Sequence, residues 1–181
     1  MKHCLLDTNM LGYLAEHKAG IITPQSISLG KRRELLPPAT KLFLCPITIG
    51  EIEYGLHITF KNDLEKLRHV RELMDTFSDD VILDINLDTA KNYYSEVKAR
   101  LFEVYAPKTK KSRKRRIEEW KDPTTSRELQ VDENDLWIAA VAMAHNLILV
   151  TDDKMNPLKK VIGADLEFAN WLDGQPKNSA S

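Results

Sequence analysis

Lys2-His3-Cys4-Leu5-Leu6-Asp7-Thr8-Asn9 holds a short apolar run that stops at an acid, followed by residues suited to start a helix. This reads as a strand over Lys2–Leu6 passing directly into a helix. An acid stands just after an apolar run or at a helix start in three further segments. They are Thr48-Ile49-Gly50-Glu51-Ile52-Glu53-Tyr54-Gly55, Asn134-Asp135-Leu136-Trp137-Ile138-Ala139-Ala140 and Leu149-Val150-Thr151-Asp152-Asp153. A parallel α/β sheet lines up the carboxyl ends of its strands along one edge, where ligands bind. Asp7, Glu51, Asp135 and Asp153 are therefore expected to converge there. Carboxylates gathered at one point repel one another unless a divalent cation sits between them. The pattern predicts a metal-dependent hydrolase of phosphodiesters.

The 181 residues suit one domain able to bury a core without disulfides. Net charge is −1, but residues 107–127 carry nine Lys/Arg against three Asp/Glu, a local +6 that leaves −7 elsewhere. An acidic body with one basic insertion is the informative pattern. Cys4 and Cys45 lie in apolar runs with no Cys/His cluster of ligand spacing, so both read as buried thiols in a reducing compartment. Asp7 interrupts the sole apolar stretch that resembles a leader, and the longest apolar segments fall short of a membrane span. The expected location is the cytoplasm, with no membrane contact.

Further strands are expected over Leu42–Ile47, Val81–Ile85, Leu147–Val150 and Asp165–Phe168. Helices are expected from Thr48 to about Phe60, over Asn62–Phe77, over Leu87–Tyr105 and over Asn134–Asn146. Gly20, Pro24, Gly30, Pro37 and Pro38 mark residues 18–41 as a long connection. Strands alternating with helices define a three-layer α/β/α sandwich with a central, mainly parallel sheet. Residues 1–173 form its single domain, with an insertion at about 107–130, and residues 174–181 are a polar tail.

Each acid has a structural explanation beside the functional one. Asp7 suits an N-cap, although Thr8 and Asn9 can fill that role. Thr48 and Glu51 have the spacing of a capping box, which accounts for Glu51 as well as a site does. Gly50 and Gly55, poor helix formers, point instead to close backbone approach. Asp135 in a first helical turn is favoured by the macrodipole, and Asp132 and Glu133 beside it share that effect. Asp152 and Asp153 fit a turn. The set of four at separate β–α junctions is stronger than any member.

These segments, with the closing Leu166-Glu167-Phe168-Ala169-Asn170-Trp171, resemble the PIN-domain ribonucleases, and among them the VapC-like toxins of type II toxin–antitoxin systems. The resemblance spans nearly the whole chain in the family's order. It implies a PIN-like fold and an endoribonuclease using Mg²⁺ or Mn²⁺, with Asp7, Glu51, Asp135 and Asp153 as catalytic metal ligands. It favours Asp153 over Asp152, and places Thr8 and Asn9 on the substrate side. It also implies an RNA substrate, a cognate antitoxin and a homodimer. The four acids without Cys or His among them suit hard ions and argue against zinc. The long early loop and the basic insertion depart from the family's pattern.

An acidic pocket repels RNA, so positive charge is needed elsewhere. Lys108, Lys110, Lys111, Arg113, Lys114, Arg115 and Arg116 can contact phosphates, or form a solvated loop, or dock an acidic antitoxin segment. Trp120 and Tyr105 beside them fit core packing better than base stacking. A phosphatase of the haloacid dehalogenase type needs an Asp where Asn9 stands, and no phosphate-binding Gly-rich loop ending in Gly-Lys-Ser/Thr is present. The remaining alternative is a non-catalytic RNA- or antitoxin-binding scaffold of the same fold.

Overall fold

The computed structural model describes residues 2–59, 68, 71, 72, 74, 75, 77, 81–106 and 116–172. Its centre is a parallel sheet of four strands in the order β2-β1-β3-β4: β1 Cys4–Leu6, β2 Leu42–Phe43, β3 Ile148–Val150 and β4 Phe168–Ala169. Leu44 extends the edge beyond β2 by a parallel bridge to Ile82, with Leu83 N donating to Leu44 O at 2.9 Å. The expected third strand is thus reduced to one bridge. The second strand is also shorter than expected, because Pro46 begins a helix.

The strands are short but each residue alternates between two cores. Leu5 and Leu149 face one cluster, whereas Cys4, Leu6 and Val150 face the other. This period of two buries both faces and demands a helical layer on each. One layer contains α1 (Thr8–Lys18) and α2 (Pro24–Glu34), which put Met10, Leu11, Leu14 and Leu29 into their core, joined by Leu56 of α3 (Pro46–Thr59). The opposite layer contains α4 (Ser95–Tyr105), α5 (Glu133–Ala144) and α6 (Asn156–Ile162). Ala139, Ala140 and Ala142 of α5 are fully buried, so small side chains let that helix lie close to the sheet. Among the described residues no helix is long and apolar enough to cross a membrane.

Two expectations are corrected. Residues 18–41 are not a plain connection: Thr23 caps α2 through a reciprocal capping box with Ser26, and Pro24 fits the first helical position. The sequence cue of scattered Gly and Pro was outweighed by this local cap. Beyond the basic run, the second half of the insertion packs into the core. Ile117, Trp120, Leu129 and Val131 are buried against α4 and α5, and Lys121 bridges Glu128 in antiparallel fashion. Tyr105 and Trp120 are core residues as read. Finally, a Cβ at Gly50 or Gly55 would meet nothing within 4 Å, so neither glycine serves a close approach.

The predicted helix over 62–77 lies mostly outside the described residues, as do Lys108, Lys110, Lys111, Arg113, Lys114, Arg115 and the tail from 174. Met74 and Phe77 pack against the α1–α2 core. Cys4 and Cys45 are buried free thiols, and burial raises both pKa values, to about 11 for Cys4.

Leu149, fully buried on β3, tests the sheet's central position. Leu149→Ala is expected to cost about 2–5 kcal/mol. Urea unfolding should show this as a lower midpoint with the slope unchanged.

Candidate active site at the carboxyl edge of the sheet

The strand order reverses direction at β1: the chain leaves β1 toward β2 and later returns to β3 on its other side. Such a reversal opens a crevice at the carboxyl ends of the flanking strands. Asp7 follows β1 and Thr151 follows β3, and the two meet across that crevice. Thr151 Oγ1 donates to Asp7 Oδ2 at 2.7 Å, and the Thr8 amide donates to Asp7 Oδ1 at 2.7 Å. Asp7 is thereby the N-cap of α1 and a site-facing carboxylate at once. The capping and functional readings of this residue do not compete.

Glu51 is taken out of its predicted capping box. α3 starts at Pro46, and the Thr48 hydroxyl instead donates to Leu6 O at 3.4 Å. Glu51 accepts a short hydrogen bond from the Thr8 hydroxyl, and Asn134 Nδ2 donates to its other oxygen at 2.7 Å. Asp135 does sit in a capping box, with Asp132 as N-cap: Asp135 N donates to Asp132 Oδ1 at 3.0 Å and Asp132 N to Asp135 Oδ2 at 2.9 Å. Asp153 takes Asn9 Nδ2 at 3.1 Å, and its amide donates to Thr151 Oγ1 at 3.0 Å. Asp152 points away, receiving the Tyr13 hydroxyl at 3.2 Å.

Asp7, Thr8, Asn9, Glu51, Asp135 and Asp153 all line one cavity of about 830 Å³. Arg116 lies instead on a second cavity of about 450 Å³, with Lys98 and Phe102. The sequence reading missed Asn134 and Thr151, the partners that orient Glu51 and Asp7. Their positions inside the quoted segments were visible, but nothing marked them as partners of distant acids. It also missed Tyr54, Glu118, Glu128 and Gln130 on the cavity wall.

Electrostatics follow from crowding and burial. Asp7 is 3% exposed, and its pKa is pushed up to about 6, first by desolvation, then by the charges of Asp153 and Glu51. Desolvation also raises Asp135, to about 7, with Asp132, Asp7 and Asp153 adding to it. Among the described residues no group of three or more His, Cys, Asp or Glu side chains is placed to hold a metal ion. The donor set is nonetheless all oxygen, and an ion such as Mg²⁺ commonly takes one or two carboxylates and keeps several waters. The residues therefore fit a hard, largely hydrated divalent cation.

Fold and site define a three-layer α/β/α protein with an acidic pocket at its switch point. Residues 4–162 match the family model described as the PIN domain, and the chain belongs to that family, whose members are generally nucleases. Similar solved structures include VapBC2 from Rickettsia felis bound to a DNA fragment from its promoter (21% identity, 93% of this chain and 98% of that one, TM-score 0.62). VapBC-1 from nontypeable Haemophilus influenzae is similar at 21% identity, over 93% and 97% of the two chains, with TM-score 0.59. A toxin–antitoxin complex from Klebsiella pneumoniae is similar at 18% identity, over 93% and 97%, with TM-score 0.51. No curated protein matches the chain.

A carboxyl group whose pKa rises on folding binds protons more tightly in the folded state, so it stabilises the fold at low pH. For Asp7 and Asp135 that contribution is full below the ordinary 3.8 and is lost as pH rises through about 6 and about 7. Without divalent cations, the melting temperature is expected to fall between about pH 4 and pH 7 and to level off above that. Asp7→Asn should flatten that fall, and a melting profile unchanged by the substitution would contradict the assigned burial.

Proposed function

We propose that this protein is a metal-dependent endoribonuclease, the toxin of a toxin–antitoxin pair. The observation that carries the reading is the meeting of Asp7, Glu51, Asp135 and Asp153, from four distant segments, on one cavity at the sheet's carboxyl edge. Family membership supports nuclease chemistry. The toxin role draws on the likeness to VapBC and toxin–antitoxin structures.

In this reading Asp7 and Asp135 would hold the principal Mg²⁺ or Mn²⁺, with Glu51 and Asp153 completing the site directly or through water. Such a cation would lower the pKa of a nearby water and offset charge on the scissile phosphate. The chain's own residues prepare the pocket. Thr151 and the Thr8 amide fix the two oxygens of Asp7. Thr8 and Asn134 clamp Glu51, and Asn9 holds Asp153. Substrate is RNA, cut to leave 5′-phosphate and 3′-hydroxyl ends. An antitoxin would block the same pocket, and a homodimer and a cytoplasmic location complete the proposal.

Asp7→Asn and Asp135→Asn should each lower cleavage of a structured RNA by about 100-fold or more. Circular dichroism should remain that of the wild-type chain. EDTA should abolish wild-type cleavage and added Mg²⁺ or Mn²⁺ restore it. Wild-type rates in Asp7→Asn would defeat the metal site, and a wild-type chain that binds RNA without cutting it would favour the scaffold alternative.

A further inference from the structure

We propose that the outer part of the acidic cavity is a nucleobase subsite in which Tyr54 is the stacking platform and Gln130 reads the base edge. The proposal deepens the ribonuclease reading and rests on it. Both residues line the same cavity as the four acids, approaching from different elements: Tyr54 from α3 and Gln130 from the insertion. Neither belongs to the set of carboxylates.

Gln130 is placed by its neighbours. Leu129 and Val131 on either side are buried in the core, and Leu129 N is tied to Trp120 O at 3.3 Å. Between these two anchors the backbone at Gln130 turns to φ 55, the left-handed region. That conformation is strained for a residue with a Cβ. It turns the exposed side chain of Gln130 into the cavity wall while its neighbours point inward. A glycine would occupy this position without strain, so the backbone alone gives no reason for glutamine. The primary amide carries both donors and acceptors, the combination that pairs bidentately with an adenine-like base edge.

Tyr54 is 67% exposed on the face of α3 opposite the buried Leu56, with Ile58 exposed one turn further on. Core packing does not hold the ring, and it is free to meet a ligand in the cavity it lines. Base–aromatic stacking tolerates every base because each has a π-face. Tyr54 would thus supply affinity and Gln130 selectivity. The cavity, about 830 Å³, is large enough for a nucleotide beside the acids. Glu118 and Glu128 also line the cavity and repel phosphates, which favours an uncharged base over the backbone beside them.

The test is cleavage of a pool of RNA hairpins with randomised single-stranded loops, in Mg²⁺, with sequencing of the new ends. The wild-type chain is expected to cut with a nucleotide preference beside the scissile bond. Gln130→Gly, which suits the backbone, should keep or raise the melting temperature and flatten the preference by about 5- to 100-fold at that position. Gln130→Glu should shift the preference toward a base that offers donors, such as cytosine. Tyr54→Leu should raise KM for all loops while leaving the preference, and Tyr54→Phe should behave as wild type. If Gln130→Gly keeps the wild-type preference, or Tyr54→Leu leaves KM unchanged, the subsite falls while the nuclease reading stands. If the wild-type chain cuts nothing in the pool, both fall together.

Discussion

A carboxylate at the end of one central strand is held by a hydroxyl at the end of the next, and the pocket depends on that contact. Thr151 reaches Asp7 across the crevice between β1 and β3, while the Asp7 amide donates to Val150 O at 3.0 Å. The pair locks two strand ends in register and fixes where the acid points. Its energetics are unfavourable to the anion. The start of a helix favours a negative charge by about 0.3–1 kcal/mol. A rise from 3.8 to about 6 corresponds to on the order of 3 kcal/mol in the opposite sense. Desolvation and neighbouring acids win. The folded chain thus keeps at its centre a charge it is poorly able to satisfy alone.

The opposite wall is held just as firmly. The helix leading into α4 begins with a π-helical turn, Thr89–Tyr94, and that turn packs against the start of α5. Tyr94 stacks on Trp137 with ring centroids 3.8 Å apart and planes within 7°. The Tyr94 hydroxyl and Lys98 Nζ both donate to Glu133, the first residue of α5. Asp135 lies two residues further on, in the same turn. A wider turn leading into α4 therefore aims an aromatic ring and a phenol at the helix that carries the acid. This is a frequent setting for such turns. The insertion adds Glu118, whose carboxylate accepts from the Glu133 amide at 3.4 Å. A segment that departs from the family's pattern thus became part of the pocket wall.

The alternation in Cys4-Leu5-Leu6 and Ile148-Leu149-Val150, and the acids that follow them, were legible because strand ends and side-chain period are local properties. So was the burial of Tyr105 and Trp120, since large aromatics beside a helix rarely stay wet. Glu51 shows the limit. Its spacing from Thr48 made a local cap plausible, yet Thr48 is drawn to the Leu6 carbonyl and Glu51 to Thr8 and Asn134. These partners come from two distant stretches, the end of β1 and the start of α5, and no window of sequence contains that competition. α2 was missed for the converse reason: Thr23, Pro24 and Ser26 encode a cap that scattered Gly and Pro obscured. Gln130 was invisible because its placement follows from two buried neighbours and a backbone angle, not from its own chemistry.

The same distribution of charge bears on how an anionic chain reaches such a pocket. Among the described residues, the cations nearest the second cavity are Lys98, already paired with Glu133 at 2.6 Å, and Arg116. Arg100 is committed to Glu96 and Asp165. The cavity that holds the four acids is also bordered by Glu118, Glu128 and Asp132. Among the described residues the lining of this cavity offers a phosphate no lysine or arginine, and its carboxylates repel one. Exposed rings and neutral amides do not share that penalty, since they contact the base and not the backbone. A pocket so built gains little by holding phosphates tightly before its acids are neutralised. On the proposed reading, Tyr54 then supplies affinity and Gln130 the selectivity.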